Sequence, residues 1–198
     1  MTALAVFAKP PKPGLVKTRL IPDIGADRAT AVYRHCLQHA LDVAYESGLE
    51  HYIYLTETSD DSQLQGPPHK LQTGVSLGDR MQNSLKEMLE QSDSAIIIGS
   101  DCLDISVHHI ERAARALSSF DLVLLPAYDG GYALIGSRHA DTALFDNVDW
   151  STSRVLRQTL DNATALGWNT NQLEMVRDID TLQDIEHYPE LLELIATN

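Results

Sequence analysis

Lys17 and Arg19 stand two residues apart in a chain whose acidic side chains outnumber its basic ones 28 to 15. They close the stretch "KPPKPGLVKTRL", which also carries Lys9 and Lys12 directly behind a short apolar run. A lysine ammonium is a point charge and an arginine guanidinium a planar fork, so the pair suits phosphate oxygens. Pro10, Pro11 and Pro13 stiffen the segment, and Gly14 lets backbone approach a ligand closely. The competing reading is a solvated basic loop, which fits Lys9 and Lys12 as readily as ligand binding does. No Gly-x-x-x-x-Gly-Lys-Ser/Thr pattern occurs, so this is not a P-loop.

Three acidic segments could complement that loop. "SDCLD" puts Asp101 at the tip of an apolar run, where a carboxylate facing phosphates would hold Mg²⁺ or Mn²⁺ against a nucleotide diphosphate. Asp104, just before "ISVHHIERAARAL", reads instead as a helix start. In "VRDIDTLQDI", Thr181 and Asp184 have the spacing of a capping box, and Asp178 and Asp180 would gain from the same helix N-terminus. Capping does not account for that preceding acidic pair. In "PAYDGGYALIGS" one reading is a tight hairpin turn. The other makes Gly130 and Gly131 a close-approach platform, with Asp129 contacting an acceptor hydroxyl or serving as general base.

The elements that must position these residues alternate in kind. "ALAVFA" (3–8), "YIYLTE" (52–57), "AIIIGS" (95–100), "DLVLLPA" (121–127) and "GYALIGS" (131–137) read as strands buried on both faces. Helical stripes are expected over 27–46, ended by Gly48, and over 77–89, 107–117, 152–166 and 182–195, the fourth entered through Ser151 as N-cap. Strand and helix in alternation predict an α/β fold around a mainly parallel sheet, in which ligands collect at the carboxyl ends of strands. Residues 63–69 read as a surface loop rather than a boundary, so one domain over 1–198 is expected.

Composition narrows the partners. A formal net charge of −13 argues against a nucleic-acid or anionic-membrane surface, leaving the basic loop as a local anion site. Cys36 and Cys102 have no metal-binding spacing, and Cys36 lies in an apolar stripe as core filler. His108 and His109 adjoin on one helix and point apart, which excludes a helical metal pair. Trp150 reads as a core or pocket aromatic, and Ser151, Thr152 and Ser153 as helix-start residues rather than nucleophiles. The N-terminal apolar run is too short for a signal peptide or a span, making the cytoplasm the default expectation.

Taken together, "VFAKPPKPGLVKTRL", "SLGDRM", "IIGSDCLDI", "PAYDGGYALIG", "WSTSRVL" and "RDIDTLQDI" resemble, in order and over nearly the whole chain, a family of small bacterial transferases of glycosyltransferase A-like fold. Members are often found beside radical-SAM enzymes and are linked to arsenosugar biosynthesis. More distantly, "VKTRL" and "DIDT" look like elements of phospholactate guanylyltransferases and sugar-nucleotide pyrophosphorylase-type enzymes. The resemblance implies a three-layer, Rossmann-like nucleotide-diphospho-sugar transferase fold with a nucleotide over the end of the first strand. It places Lys17 and Arg19 on phosphate, with Lys9, Gly14, Gly130 and Gly131 around the nucleotide, and makes Asp101 and Asp180 the Mg²⁺ or Mn²⁺ ligands. The implied reaction is glycosyl transfer from a nucleotide sugar to a small acceptor, with Asp129 as base. Nucleotidyl transfer from a nucleoside triphosphate and a non-catalytic nucleotide-binding module are the alternatives. Leu103, where relatives favour proline, and Tyr128, where an acidic residue often precedes Asp-Gly-Gly, are departures.

Overall fold

The computed structural model describes residues 1–66 and 68–196. Pro67 of the expected surface loop lies outside the described residues, as do the last two residues of the expected domain. The chain runs β1 (Thr2–Ala8), α1 (Ile21–Ile24), α2 (Ala26–Glu46), β2 (Glu50–Leu55), β3 (His69–Leu71), α3 (Leu77–Leu89) and β4 (Ser94–Ile98). It continues through α4 (Val107–Ala116), β5 (Leu122–Pro126), β6 (Tyr132–Ser137), α5 (Val155–Ala165), β7 (Thr170–Gln172), α6 (Leu182–Ile185) and α7 (Pro189–Ala196).

Period-two alternation sorts the strand side chains onto two faces. Leu4 and Val6 of β1, with Ile96 and Ile98 of β4, pack beneath α2 and α4. Ala3, Ala5, Ala95 and Ile97 face the other way, against α3 and α5. Both sets are buried, which explains the unbroken apolar runs and gives three layers, helix on sheet on helix. Each fully buried leucine or isoleucine contributes on the order of 2 kcal/mol relative to staying in water.

One seven-stranded sheet in the order β3-β2-β1-β4-β6-β5-β7 forms the centre, parallel except for β6, which runs antiparallel to both neighbours. Because β1 lies between β2 and β4, the chain leaves its two sides in opposite directions. The carboxyl ends of β1 and β4 therefore flank a crevice.

Local details depart from the sequence expectations where tertiary contacts intervene. The helix expected over 152–166 begins at Val155, with Arg154 at its N-cap and Ser151 in the left-handed region at φ +63°. The Gly130 carbonyl accepts the Leu156 amide at 2.9 Å, so a neighbouring turn satisfies the first turn of the helix in place of Ser151. The pattern over 182–195 divides into α6 and α7. Pro189 lacks an amide and disfavours helical backbone at Tyr188. Asp104 does not start a helix: Ser106 caps α4, while Asp104 accepts the Arg177 amide and the Tyr188 hydroxyl, each at 2.9 Å. The short strands β3 and β7, "HKL" and "TNQ", lie at the two sheet edges and have no apolar run to announce them.

Candidate functional site

The basic loop leaves β1 and is pinned by two apolar anchors, Val16 and Leu20, both buried. Between them Lys17 takes φ +45°, a left-handed conformation costing a non-glycine residue roughly 1–2 kcal/mol. That turn aims its side chain inward, where it is only 4% exposed. Its Nζ stands 3.3 Å from Asp180 Oδ1 and 3.5 Å from Asp101 Oδ2. Burial alone would pull the ammonium's pKa down. Asp101 and Asp180 outweigh burial and hold the pKa above its ordinary 10.5, so Lys17 is charged. Arg19, largely exposed, donates to Asp180 Oδ2 at 3.1 Å.

Asp101 follows Gly99 and Ser100 at the end of β4, its carbonyl accepting the Ile179 amide at 3.0 Å. That bond ties the β4 turn to the "RDID" segment. A Cβ on Gly99 would meet Asp101 Oδ1 at 2.9 Å, so glycine leaves room for the carboxylate to fold back. Asp178 lies deeper. Its Oδ1 is buried without a hydrogen-bond partner, and burial, then the charges of Asp101 and Asp129, push its carboxyl well above the usual carboxylate range. Asp129 sits in the β5–β6 turn with Oδ1 accepting the Gly131 amide at 2.8 Å.

A cavity of about 640 Å³ brings these groups together. Lys9, Lys17, Arg19, Asp101, Asp129, Gly131 and Asp180 all line it, whereas Gly14 and Gly130 do not. Gly130, at φ +89°, is instead pressed against the Ser151–Ser153 turn, where an added Cβ would come within 2.3 Å of the Ser153 carbonyl oxygen. Lys12 faces away and pairs with Glu57 at 3.0 Å. An apolar wall of Phe7, Leu77, Met81, Ile97 and Trp150 completes the cavity.

Two contributors escaped the sequence reading. Asp178 stood there in an acidic pair that capping left unexplained, but only Asp180 of that pair was assigned to a metal. Tyr33, read as one residue of an apolar stripe, lines the cavity and bonds to Lys9 and Ser100. Nothing in the stripe marks it out, because its hydroxyl partners lie far along the chain.

The donor set fits a hard divalent cation. Asp101, Asp178 and Asp180 present carboxylate oxygens to one cavity, and a buried oxygen of Asp178 has no protein partner. Among the described residues no three acidic, histidine or cysteine side chains already stand as a metal-holding group, and the Lys17 ammonium occupies the space between Asp101 and Asp180.

Sheet order, the reversed β6 and the crevice over β1 and β4 define the Rossmann-like, glycosyltransferase A-like fold of nucleotide-diphospho-sugar transferases. The chain belongs to the family described as uncharacterized proteins conserved in bacteria (DUF2064), whose sequence pattern matches residues 30–152. No curated protein matches the sequence. Among solved structures, a protein of Desulfovibrio desulfuricans G20 provisionally assigned as a nucleotide-diphospho-sugar transferase is 27% identical. The match covers 98% of this chain and 96% of that one, with a TM-score of 0.89. Glucosyl-3-phosphoglycerate synthase of Mycobacterium tuberculosis, solved with Mn²⁺, UDP and glucosyl-3-phosphoglycerate, is 11% identical with a TM-score of 0.58 over 100% of this chain and 78% of that one. The 4-diphosphocytidyl-2C-methyl-D-erythritol synthase of Anaerococcus prevotii DSM 20548 is 10% identical, with a TM-score of 0.60 over 99% and 95%. At such low identity these last two share the fold.

Proposed function

We propose that this protein is a divalent-metal-dependent transferase with a nucleotide donor, moving a glycosyl group from a nucleotide-diphospho-sugar to a small acceptor. The observation that carries this reading is the convergence of Asp101, Asp178 and Asp180 with Lys17 and Arg19 in one cavity at the strand ends. Cations beside carboxylates at that place suit a polyphosphate that arrives with its metal.

Asp101 and Asp180 are the residues to hold Mg²⁺ or Mn²⁺, with Asp178 behind them. When bound, such an ion supplies charge neutralisation to the departing diphosphate. The chain's own groups do the remainder. Lys17 and Arg19 orient phosphate oxygens, and Lys9 adds charge at the cavity mouth. The apolar wall around Trp150 excludes water from the acceptor side. Asp129, fixed through Oδ1 by the Gly131 amide, keeps Oδ2 free to take the proton of an acceptor hydroxyl. The Mn²⁺ and UDP held by the mycobacterial synthase, and the provisional assignment of the Desulfovibrio protein, support this reading. The likeness to transferases found beside radical-SAM enzymes supports a small-molecule acceptor.

Nucleotidyl transfer is the second reading, favoured by the two cations Lys17 and Arg19, since a triphosphate offers them more charge. The cytidylyl-type synthase of the same fold supports it. A thermal-shift panel separates the two: nucleotide sugars and nucleoside triphosphates, each with and without Mn²⁺. A Mn²⁺-dependent rise with a nucleotide sugar but not its parent triphosphate is the expected result. The reverse preference would replace glycosyl by nucleotidyl transfer. Strong nucleotide binding without turnover of any donor would leave a binding module.

A further inference from the structure

We infer that Lys17 is a built-in counter-cation: its ammonium holds the Asp101 and Asp180 carboxylates together in the metal-free protein, and a divalent ion must displace it to bind there. This inference rests on the metal-assisted reading above and concerns how the chain's own charge competes for that site. Lys17 Nζ is within 3.3 Å of Asp180 Oδ1 and 3.5 Å of Asp101 Oδ2. The lysine side chain is 4% exposed, whereas the two carboxylates are 43% and 35% exposed, so the carboxylates are open to an arriving ion while the ammonium holds them from the buried side.

The arrangement is built into the backbone. Val16 and Leu20 are buried on either side, and the left-handed turn at Lys17 points the side chain at the acid pair. Without a cation, two carboxylates this close to one ammonium would repel one another. A divalent ion seated on the same oxygens would repel the ammonium in turn, because like charges within about 4 Å interact strongly in a partly desolvated cavity.

Displacement has a second consequence. Asp180 keeps Arg19 on its other oxygen at 3.1 Å, so the released charge of Lys17 is not needed there. Still tethered at the cavity floor, the ammonium becomes available to an anion that enters with the metal. Metal and phosphate binding are thereby coupled through one side chain, and the coupling is reciprocal.

Calorimetric titration of the full chain with Mn²⁺ alone tests this, using wild type, Lys17→Met and Lys17→Arg. Lys17→Met should bind Mn²⁺ about tenfold more tightly than wild type, because the competing charge is gone. Lys17→Arg, which retains a cation, should stay close to wild type. Without metal, Lys17→Met should melt below wild type, and the gap should narrow at saturating Mn²⁺. Equal or weaker Mn²⁺ binding by Lys17→Met, with wild type binding normally, overturns this inference and leaves the metal reading intact. A wild-type protein that binds no Mn²⁺ at millimolar concentration, either alone or with a nucleotide, overturns both. Should Lys17→Met fail to fold, the Lys17 ammonium resonance of the wild-type protein gives an independent answer. It should shift as Mg²⁺ saturates, and an unmoved resonance overturns the inference.

Discussion

Tyr33 clasps the Lys9 peptide from both sides, its hydroxyl accepting the Lys9 amide at 2.8 Å and donating to the Lys9 carbonyl at 2.9 Å. The same oxygen lies 3.1 Å from Ser100 Oγ, so one buried phenol from α2 joins the basic loop to the turn that carries Asp101. Tyr33→Phe removes all three bonds and leaves partly buried backbone groups of Lys9 unpaired, which should cost about 1–3 kcal/mol. In calorimetry that corresponds to a melting point lower by about 2–12 °C for a chain of this size. Nucleotide affinity should fall with it, since the basic loop loses its tie to Asp101.

Gly130 is a packing glycine. Gly130→Ala would force a methyl against the Ser153 backbone and hold alanine at φ +89°, a combination expected to cost at least about 2 kcal/mol. Urea denaturation should show the loss. Gly14→Ala also meets a positive φ, +83°, but finds open space, so it should cost only the backbone strain of roughly 1 kcal/mol. Equal losses at the two sites would refute the packing role of Gly130.

Asp101→Asn and Asp180→Asn should each lower turnover about a hundredfold or more, the scale on which transition-state charge stabilisation is lost. Both should also abolish the Mn²⁺-dependent part of any nucleotide-induced thermal shift. Chelation of the wild-type protein should reproduce the same loss reversibly. Variants that kept the full Mn²⁺ effect would remove these carboxylates from the metal site.

His109 should make stability sensitive to mild acid. Its Nδ1 accepts the Ser106 amide at 3.1 Å, and its Nε2 faces Glu174 at 3.2 Å. Burial holds its pKa below the ordinary 6.5; Glu174 opposes this, while Arg112 and His108 add to it. The fold therefore prefers neutral His109. This contribution is present above the unfolded value and is lost as pH falls through it towards the lower folded value. Melting points recorded from about pH 8 down to about pH 5 should drop, and His109→Gln should flatten that stretch of the curve.

Much of the scaffold could be read locally. Within β1, β4 and β5 the stretches 3–8, 95–98 and 122–126 are apolar at every position because helices cover both faces, and the helix expected over 77–89 is found at Leu77–Leu89. Thr181 and Asp184 form the capping box their spacing announced, since a cap depends only on neighbours in sequence. β3 and β7 were hidden for the complementary reason: edge strands bury little, so they need no apolar signature. The start of α5 was misplaced because the donor of its first turn goes to Gly130, which no local rule could reveal.

By itself, the sequence determined which segments could carry charge to a ligand. A lysine and arginine two apart behind a strand, and an aspartate at a strand tip, are properties of short windows and of strand-end geometry. Tertiary structure alone decided how those charges meet. It placed the Lys17 ammonium between Asp101 and Asp180, left one oxygen of Asp178 buried and unpaired, and turned Gly130 from the cavity to the Ser153 backbone. Electrostatic and steric terms depend on distance and burial between residues remote in sequence, and those are fixed only when the sheet brings its loops together.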